Sequence, residues 1–399
     1  MYSTIAAGRL KYKPFISTWK TGNTSTDSSN ANQVHLPLVA GGSYNFNVKW
    51  GDGSQSDITA YNQAEVTHTY AAEGIYIVTI TGHMDGFTFN NTGDRLKLMS
   101  IERWGCFLPT TIGFLPPNTN PAGDFNVVGV FYGCANLNLS EVNDILNIGS
   151  CWTMQNFFRS CITLTFVNHI EDWITNNVVS FYSTFRLCNN FNSNISSWQT
   201  GNCINFLGTF QSCVNYNQPL SNWDMGKAIL INTMFDGCSK FNQNINNWNV
   251  SNVVNFRFSL RNCPLFNQPL NNWDVGNGED FNGMFTNSFS FNQSLNSWNM
   301  SKNKVFTSMF TSASAFNQNI SGWDFSQGES FSSFMANKTY QNYSTANYNA
   351  LLNSWAAQNV QTGRVANFGT IRYTAAGQAA RNYLISVKGW TITDGGLTT

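Results

Sequence analysis

The sequence predicts a mainly β protein, in which an N-terminal β-sandwich precedes a solenoid of short repeats and a C-terminal cap of helices and a strand. Three observations lead to this prediction. Tryptophans recur every 25 residues in the second half of the chain, apolar and polar residues alternate before residue 81, and apolar residues follow helical spacing after residue 347.

The N-terminal part shows paired strand patterns. Residues 44–50 alternate, residues 51–54 have turn composition, and residues 74–80 alternate again. Residues 15–19 add a first strand, and residues 22–32 form a loop rich in Ser, Thr and Asn. We therefore expect a half-buried antiparallel sheet.

Two motifs in this part suggest its family. The segments Trp50-Gly51-Asp52-Gly53-Ser54 and His68-Thr69-Tyr70 resemble the polycystic-kidney-disease (PKD) type of immunoglobulin-like sandwich. The resemblance implies a spacer or interaction domain, which we place, with an N-terminal arm, at residues 1–93.

The solenoid is predicted from residues 94 to 340, as about eight repeats of 25–27 residues. Each repeat carries too few apolar side chains to form a core alone, so identical repeats must stack. At ~4.8 Å per turn the stack would be roughly 40 Å long. The tryptophans that we assign to its core are Trp173, Trp198, Trp223, Trp248, Trp273, Trp298 and Trp323.

An aromatic residue followed by Asn lies seven residues before the next Trp. We assign these aromatic rings to the core as well, and expect the Asn amides to bond turn backbone and the matching Asn of adjacent turns. The four most regular members of this set are Phe241, Phe266, Phe291 and Phe316.

Nine cysteines rule out a complete set of disulfides within one chain. Six of them recur at spacings of 25 or 27, and the next two places hold Ser288 and Ala313, so the position selects a small side chain. Unpaired thiols favour a reducing compartment, although neighbouring turns would be close enough for a disulfide. The four in strict 25-residue spacing are Cys188, Cys213, Cys238 and Cys263.

The repeat motif also suggests a family. Residues 241–249 follow the pattern Phe-Asn-Gln-x-Ile/Leu-x-x-Trp-Asp/Asn, which resembles the BspA-like bacterial surface protein repeat of the leucine-rich-repeat class. The similarity extends over roughly residues 96–340. It implies a leucine-rich-repeat-like solenoid and a surface-exposed, non-enzymatic protein used for adhesion.

Both ends of the solenoid require cover. Residues 97–105 join it to the sandwich without a flexible linker, so we expect Trp104 to cover the first apolar turn. Residues 348–357 and 375–384 have helical spacing, and residues 390–393 resemble a strand. We assign residues 341–399 to a C-terminal cap.

Composition limits the partners. The chain has 21 basic and 21 acidic residues, and only 11% of its residues are charged, so neither a nucleic acid nor an anionic membrane is an expected partner. Residues 1–11 lack the apolar run of a secretory signal peptide, which favours a chain without one over one whose signal was removed.

No catalytic, cofactor or metal motif emerges. Four His occur without metal-ligand spacing, and no nucleophile or nucleotide motif is found. Asp52 and Asp57 offer a weak calcium alternative. Asp224, Asp274 and Asp324 recur after Trp and are interpreted as structural, because a catalytic cluster would be unique. We expect no enzymatic activity and no cofactor.

Three functions remain at this stage. The first is a virion surface component of a phage, such as a capsid decoration, head-fibre or tail-associated protein, which contacts capsid or tail proteins, a host receptor or a host surface glycan. Its assembly in a reducing host cytoplasm would suit the unpaired thiols. The second is a bacterial cell-surface adhesin, and the third, least supported, is an enzyme acting on polysaccharide.

Overall fold

The computed structural model describes residues 13–109 and 129–398. Strand residues outnumber helical residues, so the mainly β class is confirmed. The chain divides into two compact units, Met1–Cys203 and Ile204–Thr399, called here the N-terminal and C-terminal units. The predicted N-terminal arm falls at residues 1–12, outside the described residues.

The N-terminal unit contains eight strands within its described residues. Six of them form one sheet with the order β4-β3-β6-β1-β7, to which β8 adds by pairing with β6, and β2 pairs with β5 in a small second sheet. The strands are β1 (Phe15–Lys20), β2 (Gln33–His35), β3 (Leu38–Lys49), β4 (Gln55–Ile58), β5 (Thr67–Thr69), β6 (Ile75–Phe87), β7 (Leu98–Arg103) and β8 (Phe107–Pro109).

The sheet does not end at the predicted boundary. β7 pairs with β1 and β8 pairs with β6, so residues beyond 93 complete the sheet rather than only connecting it to the repeats. The cause is hydrogen bonding, since β1 would otherwise present an unpaired edge. Trp104 follows β7 and is buried, with its ring 5.8 Å from Phe131 and 6.2 Å from Trp173, which agrees with the expected cover.

A buried ion pair fixes the long loop after β1. Lys97 Nζ lies 3.3 Å from Asp94 Oδ1, and both side chains are fully buried. The ammonium also donates to the carbonyls of Ser29, Asn30 and Gln33, each at 2.9 Å. A buried ammonium requires such a complete set of partners, which explains why this polar loop is ordered against the sheet.

The repeats stack through single bridges rather than full strands. In the C-terminal unit, Asn205, Leu230, Asn255, Asp280, Val305 and Ser330 form successive parallel bridges, each 25 residues apart. Around one bridge, the N–H groups of Phe256, Phe258 and Leu260 donate to the carbonyls of Asp280, Asn282 and Met284 in the next repeat. The 25-residue period is therefore a period of backbone hydrogen bonding.

Two left-handed residues per repeat produce this path. The N–H groups between the bridging donors bond three residues back, so the chain turns tightly and needs positive φ at two places. The residues at these places are mostly Ser, Asn and Gly. The first place holds Gly208, Thr233, Phe258, Gly283, Ser308 and Ser333, and the second holds Ser212, Gly237, Asn262, Asn287, Ser312 and Asn337.

The spacing between successive turns is not uniform. The sequence-based prediction assumed ~4.8 Å throughout. Rings beside the bridges lie 4.7 Å apart at Phe256 and Phe281. Equivalent rings farther from the bridges lie 6.4 Å apart at Trp248 and Trp273, and 6.0 Å apart at Phe241 and Phe266. Equal translation would give equal distances, so successive repeats of this unit are also rotated, with the bridged side closer together.

The cap contains the predicted elements. α1 (Thr345–Ala357) and α2 (Ala375–Ser386) are the two helices, and β9 (Val365–Asn367) pairs in parallel with β10 (Thr391–Thr393). These elements lie within residues 341–399, the range assigned to the cap from the sequence. Within the described chain, no helix has the length and apolar character required to cross a bilayer.

The cap continues the hydrogen bonding of the repeats. Ser344 N and Asn347 Nδ2 donate to Asn317 Oδ1 at 2.9 and 3.1 Å, where a further repeat would supply its own Asn and Gln. Trp355 of α1 packs its ring 4.9 Å from that of Phe331. The last turn is thus covered by groups of the cap that make the hydrogen bonds and ring contacts a further repeat would make.

Candidate binding face

The predicted core residues are all buried. The seven tryptophans are at most 3% exposed, and the four Phe and four Cys of the predicted set have no measurable exposure. These columns, meaning the equivalent positions of successive repeats, therefore fill the interior and leave no aromatic ladder exposed to a ligand.

The tryptophans also donate hydrogen bonds, which the sequence pattern did not show. Trp248 Nε1 donates to the Leu220 carbonyl at 2.9 Å, and Trp273 Nε1 donates to the Ile245 carbonyl at the same distance. Trp298 and Trp323 repeat this contact. At these four positions the indole supplies both apolar area and a donor to the preceding turn, whereas the buried Trp173 Nε1 has no partner among the described residues.

The small-residue column is more specific than predicted. The Sγ of Cys238 and that of Cys263 donate to the carbonyls of Phe210 and Phe235 at 3.0 Å, and Ser288 Oγ donates to Leu260 O at 2.6 Å. The position thus favours a small donor. All nine cysteines are free and buried, so the structure shows no disulfide.

This column ends at Lys338. Its buried Nζ donates to the carbonyls of Ala313 and Phe316 at 2.6 and 2.7 Å. Burial lowers the pKa of Lys338 to about 7. At this last position a long cationic side chain takes the place of the small donor and bonds carbonyls of the preceding repeat.

The Asn that follows each core Phe forms the expected ladder. Asn242 Oδ1 accepts from Asn267 N at 3.0 Å and from Gln268 Nε2 at 3.1 Å, and the same pattern joins Asn267 to Asn292 and Gln293. The Gln of the motif, for which the repeat pattern predicted no role, is the second donor.

The recurring acids have local partners. Asp224, Asp274 and Asp324 each accept the N–H two residues ahead, from Gly226, Gly276 and Ser326. Asn249 and Asn299 do the same. The acids are therefore turn-forming residues that Asn can replace.

One face of the C-terminal unit departs from this uniformity. We call it the bridge face, and define it by the bridging residues, the columns one before and two after them, and the columns of Phe258 and Arg261, which lie three and six places after the bridge. The preceding column is Ile204, Ile229, Val254, Glu279, Lys304 and Glu329, and the following column is Leu207, Asn232, Arg257, Asn282, Thr307 and Ser332. Unlike the core columns, these partly or fully exposed positions differ from repeat to repeat.

Phe258 is the residue of this face that differs most from the equivalent residues of the other repeats. It has φ of 55°, at a place where the other repeats hold Ser, Gly, Thr or Asn, and such a conformation is costly for a bulky residue. The guanidinium carbons of Arg261 and Arg257 lie 3.9 and 4.8 Å from its ring centroid. The next repeat has Gly283, where a Cβ would lie 2.4 Å from the ring.

The charges on the bridge face alternate in sign between repeats. Arg261 makes a two-point ion pair with Asp236, at 2.8 and 2.6 Å, and Lys304 lies 2.8 Å from Glu279. Both pairs join residues 25 apart in the chain. Identical charges at this spacing would repel, so stacked repeats admit charge where the neighbour has the opposite sign.

Two other clusters resemble sites. Asp52 Oδ2 lies 2.8 Å and Ser54 Oγ 3.3 Å from the same nitrogen of His68, whereas a catalytic triad needs its acid on the other ring nitrogen. Burial raises the pKa of Asp52, but hydrogen bonds from Ser54 and His68 outweigh it and lower the pKa to about 2. Asp57 instead accepts from Asn47. These groups fix the turn after β3.

The second cluster is His169, Glu171 and Asp172, whose potential ligand atoms lie within 4.8 Å of one another. It is the one group of three potential metal ligands among the residues that the structure describes. All three side chains are partly or fully exposed, and no further feature there indicates an ion, so we assign none.

These features define a class of protein, a mainly β chain with stacked 25-residue repeats and one variable face. Its repeats match the family described as Mycoplasma protein of unknown function, DUF285, at residues 126–247 and 229–348. The two matches cover more than half of the chain, which therefore belongs to this family. No curated protein and no solved structure shows significant similarity to it.

Proposed function

We propose that this chain is a non-enzymatic, surface-exposed structural and adhesion protein that binds a protein partner through its bridge face. The observation that carries the proposal is Phe258. The chain keeps a strained, half-buried aromatic residue between two arginines, and the neighbouring repeat leaves out a side chain to make room for it. Aromatic residues and Arg dominate the binding energy of protein interfaces.

The variation among the repeats supports the same face. The core columns hold similar residues in every repeat because each turn packs against the next, whereas the residues of an exposed column are free to differ. The outward Asn and Gln ladder is exposed too, yet it repeats because its amides bond neighbouring turns. The residues of the bridge face are exposed and differ from repeat to repeat, as a specific interface requires.

For the architecture, we propose a PKD-type immunoglobulin-like sandwich followed by a BspA-like, leucine-rich-repeat-like solenoid. The motifs at residues 50–54 and 68–70 and the repeat motif support these assignments. The closer spacing on the bridged side agrees with the second, because leucine-rich repeats curve around their strand-bearing side.

For the location, we propose the surface of a phage virion, as a capsid decoration, head-fibre or tail-associated protein assembled in the host cytoplasm. The nine buried free thiols support folding in a reducing compartment. The family description, which refers to a bacterium, favours a bacterial cell-surface adhesin as the second candidate. Mass spectrometry of purified particles should detect the chain; its presence only on intact bacterial cells would contradict the virion assignment.

A photocrosslinking phenylalanine analogue at position 258 tests the face itself. On irradiation of particles or cells carrying the chain, we expect one discrete crosslinked protein. The matched control places the analogue at Asn271, which is exposed on the repetitive side of the same unit. Identical products from both positions, or none from position 258, would refute the bridge face as the interface.

A further inference from the structure

An open depression lies between the last repeat and the cap of the C-terminal unit. Its volume is about 730 Å³, and its polar lining includes Gln327, Asn359, Gln361, Thr362, Arg364 and Lys388. Pockets for small molecules have volumes of roughly 300–1,000 Å³ but are usually lined by apolar residues. This lining therefore fits a hydrophilic ligand.

The two cations of the depression retain unused donors. Arg364 donates through Nη1 to the Glu329 carbonyl at 3.0 Å and through Nη2 to Gln361 Oε1, while its buried Nε has no partner among the described residues. Lys388 Nζ donates to the Val360 carbonyl at 3.1 Å. These contacts hold both side chains in place and leave N–H groups available.

No carboxylate balances this charge. Over the described residues, neither Arg364 nor Lys388 forms an ion pair, and no acidic side chain lines the depression. In contrast, Arg381 of the same cap is paired with Asp394 at 2.7 Å. Two cations beside a cavity without a counter-charge favour an oxyanion.

We propose that this depression binds an acidic saccharide. Arg364 and Lys388 would hold its carboxylate, and the amides of Gln327 and Asn359 with the hydroxyl of Thr362 would bond its ring hydroxyls. None of these groups belongs to the bridge face, so the site goes beyond the proposed function and either can fail without the other.

Titration of the full chain with glucuronate, followed by NMR, tests the proposal. Saturable shifts should be confined to residues around the depression, and added salt should weaken binding. Lys388→Gln should weaken it by about tenfold, because one charged hydrogen bond is lost. Lys302→Gln is the matched control, since Lys302 is exposed and contacts Asn277, and should leave binding unchanged.

Glucose and sulfate test separately whether the carboxylate and the sugar ring are recognised. Glucose, which lacks the carboxylate, should not bind, and sulfate should compete more weakly than glucuronate. Absence of saturable glucuronate binding, equal binding of glucose, or no effect of Lys388→Gln would overturn the site. Sulfate binding as tight as that of glucuronate would overturn the saccharide assignment. Arg364→Gln is a second variant, with unchanged melting temperature as its folding check.

Discussion

Replacement of Trp248 by alanine should lower the free energy of unfolding by about 3–5 kcal/mol. The indole is 2% exposed, and its ring stacks 6.4 Å from that of Trp273. The substitution removes this packing and the hydrogen bond to Leu220 O. The loss should appear in urea unfolding of the full chain.

Two controls separate the contributions. Trp248→Phe keeps a ring but loses the indole donor, while the Leu220 carbonyl still accepts from Trp223 N, so it should cost about 0.5–1.5 kcal/mol beyond lost packing area. Asn247→Ser introduces at an exposed neighbour the residue that the same column holds two repeats later, at Ser297, and should stay within about 0.5 kcal/mol. An unchanged unfolding midpoint for Trp248→Ala would show that the Trp column is not core.

Alkaline pH should destabilise the protein steeply. Burial raises the pKa of the thiols of Cys106, Cys134, Cys161, Cys238 and Cys263 above the usual 9.0, and that of Cys151 to about 12. Below pH 9 these thiols are protonated in both the folded and the unfolded chain. Above it they ionise in the unfolded chain first, so stability is lost as the pH rises.

Each buried thiol should cost about 1.4 kcal/mol per pH unit between its unfolded and folded pKa values. Urea unfolding under reducing conditions at pH 8, 9 and 10 measures this slope. The double variant Cys238→Ser/Cys263→Ser keeps a hydroxyl donor at each position, as Ser288 does. It should reduce the slope of the free energy of unfolding against pH by the contribution of two thiols. An equally steep fall in the double variant would show that the thiols do not cause it.

Much of the architecture could be predicted from the sequence because stacked repeats impose a period on it. The Trp, Phe and small-residue columns fill the interior, and the helical spacing at residues 348–357 and 375–384 agrees with the helices of the cap. A period shows which side chains are equivalent. It does not show which backbone carbonyl each one faces.

The features that the sequence did not predict depend on which backbone carbonyl each side chain faces. The donors of Trp248 and Cys238 and the substitution of Lys338 for a small residue become intelligible once the preceding turn is placed. The buried pair of Asp94 and Lys97 joins a loop that no alternation marks. Phe258 was visible only as an irregular residue, because its strain depends on the backbone.

The low overall charge now has a structural cause. Stacked repeats bring equivalent positions together, so most outward ladder positions hold neutral amides and hydroxyls. Charge enters where signs alternate, as in the pair of Asp236 with Arg261 and that of Glu279 with Lys304. Low charge and a variable bridge face are thus two consequences of the same stacking.

Disulfide trapping tests the central claim, the in-register stacking of 25-residue repeats, most directly. Asn246 Nδ2 lies 3.3 Å from Asn271 Oδ1 on the outside of adjacent repeats, and the native thiols are buried. On mild oxidation, Asn246→Cys/Asn271→Cys should therefore form a disulfide that peptide mass spectrometry detects. Asn246→Cys/Asn296→Cys, two repeats apart, should not. Equal crosslinking of both pairs, or of neither, would contradict the stacking.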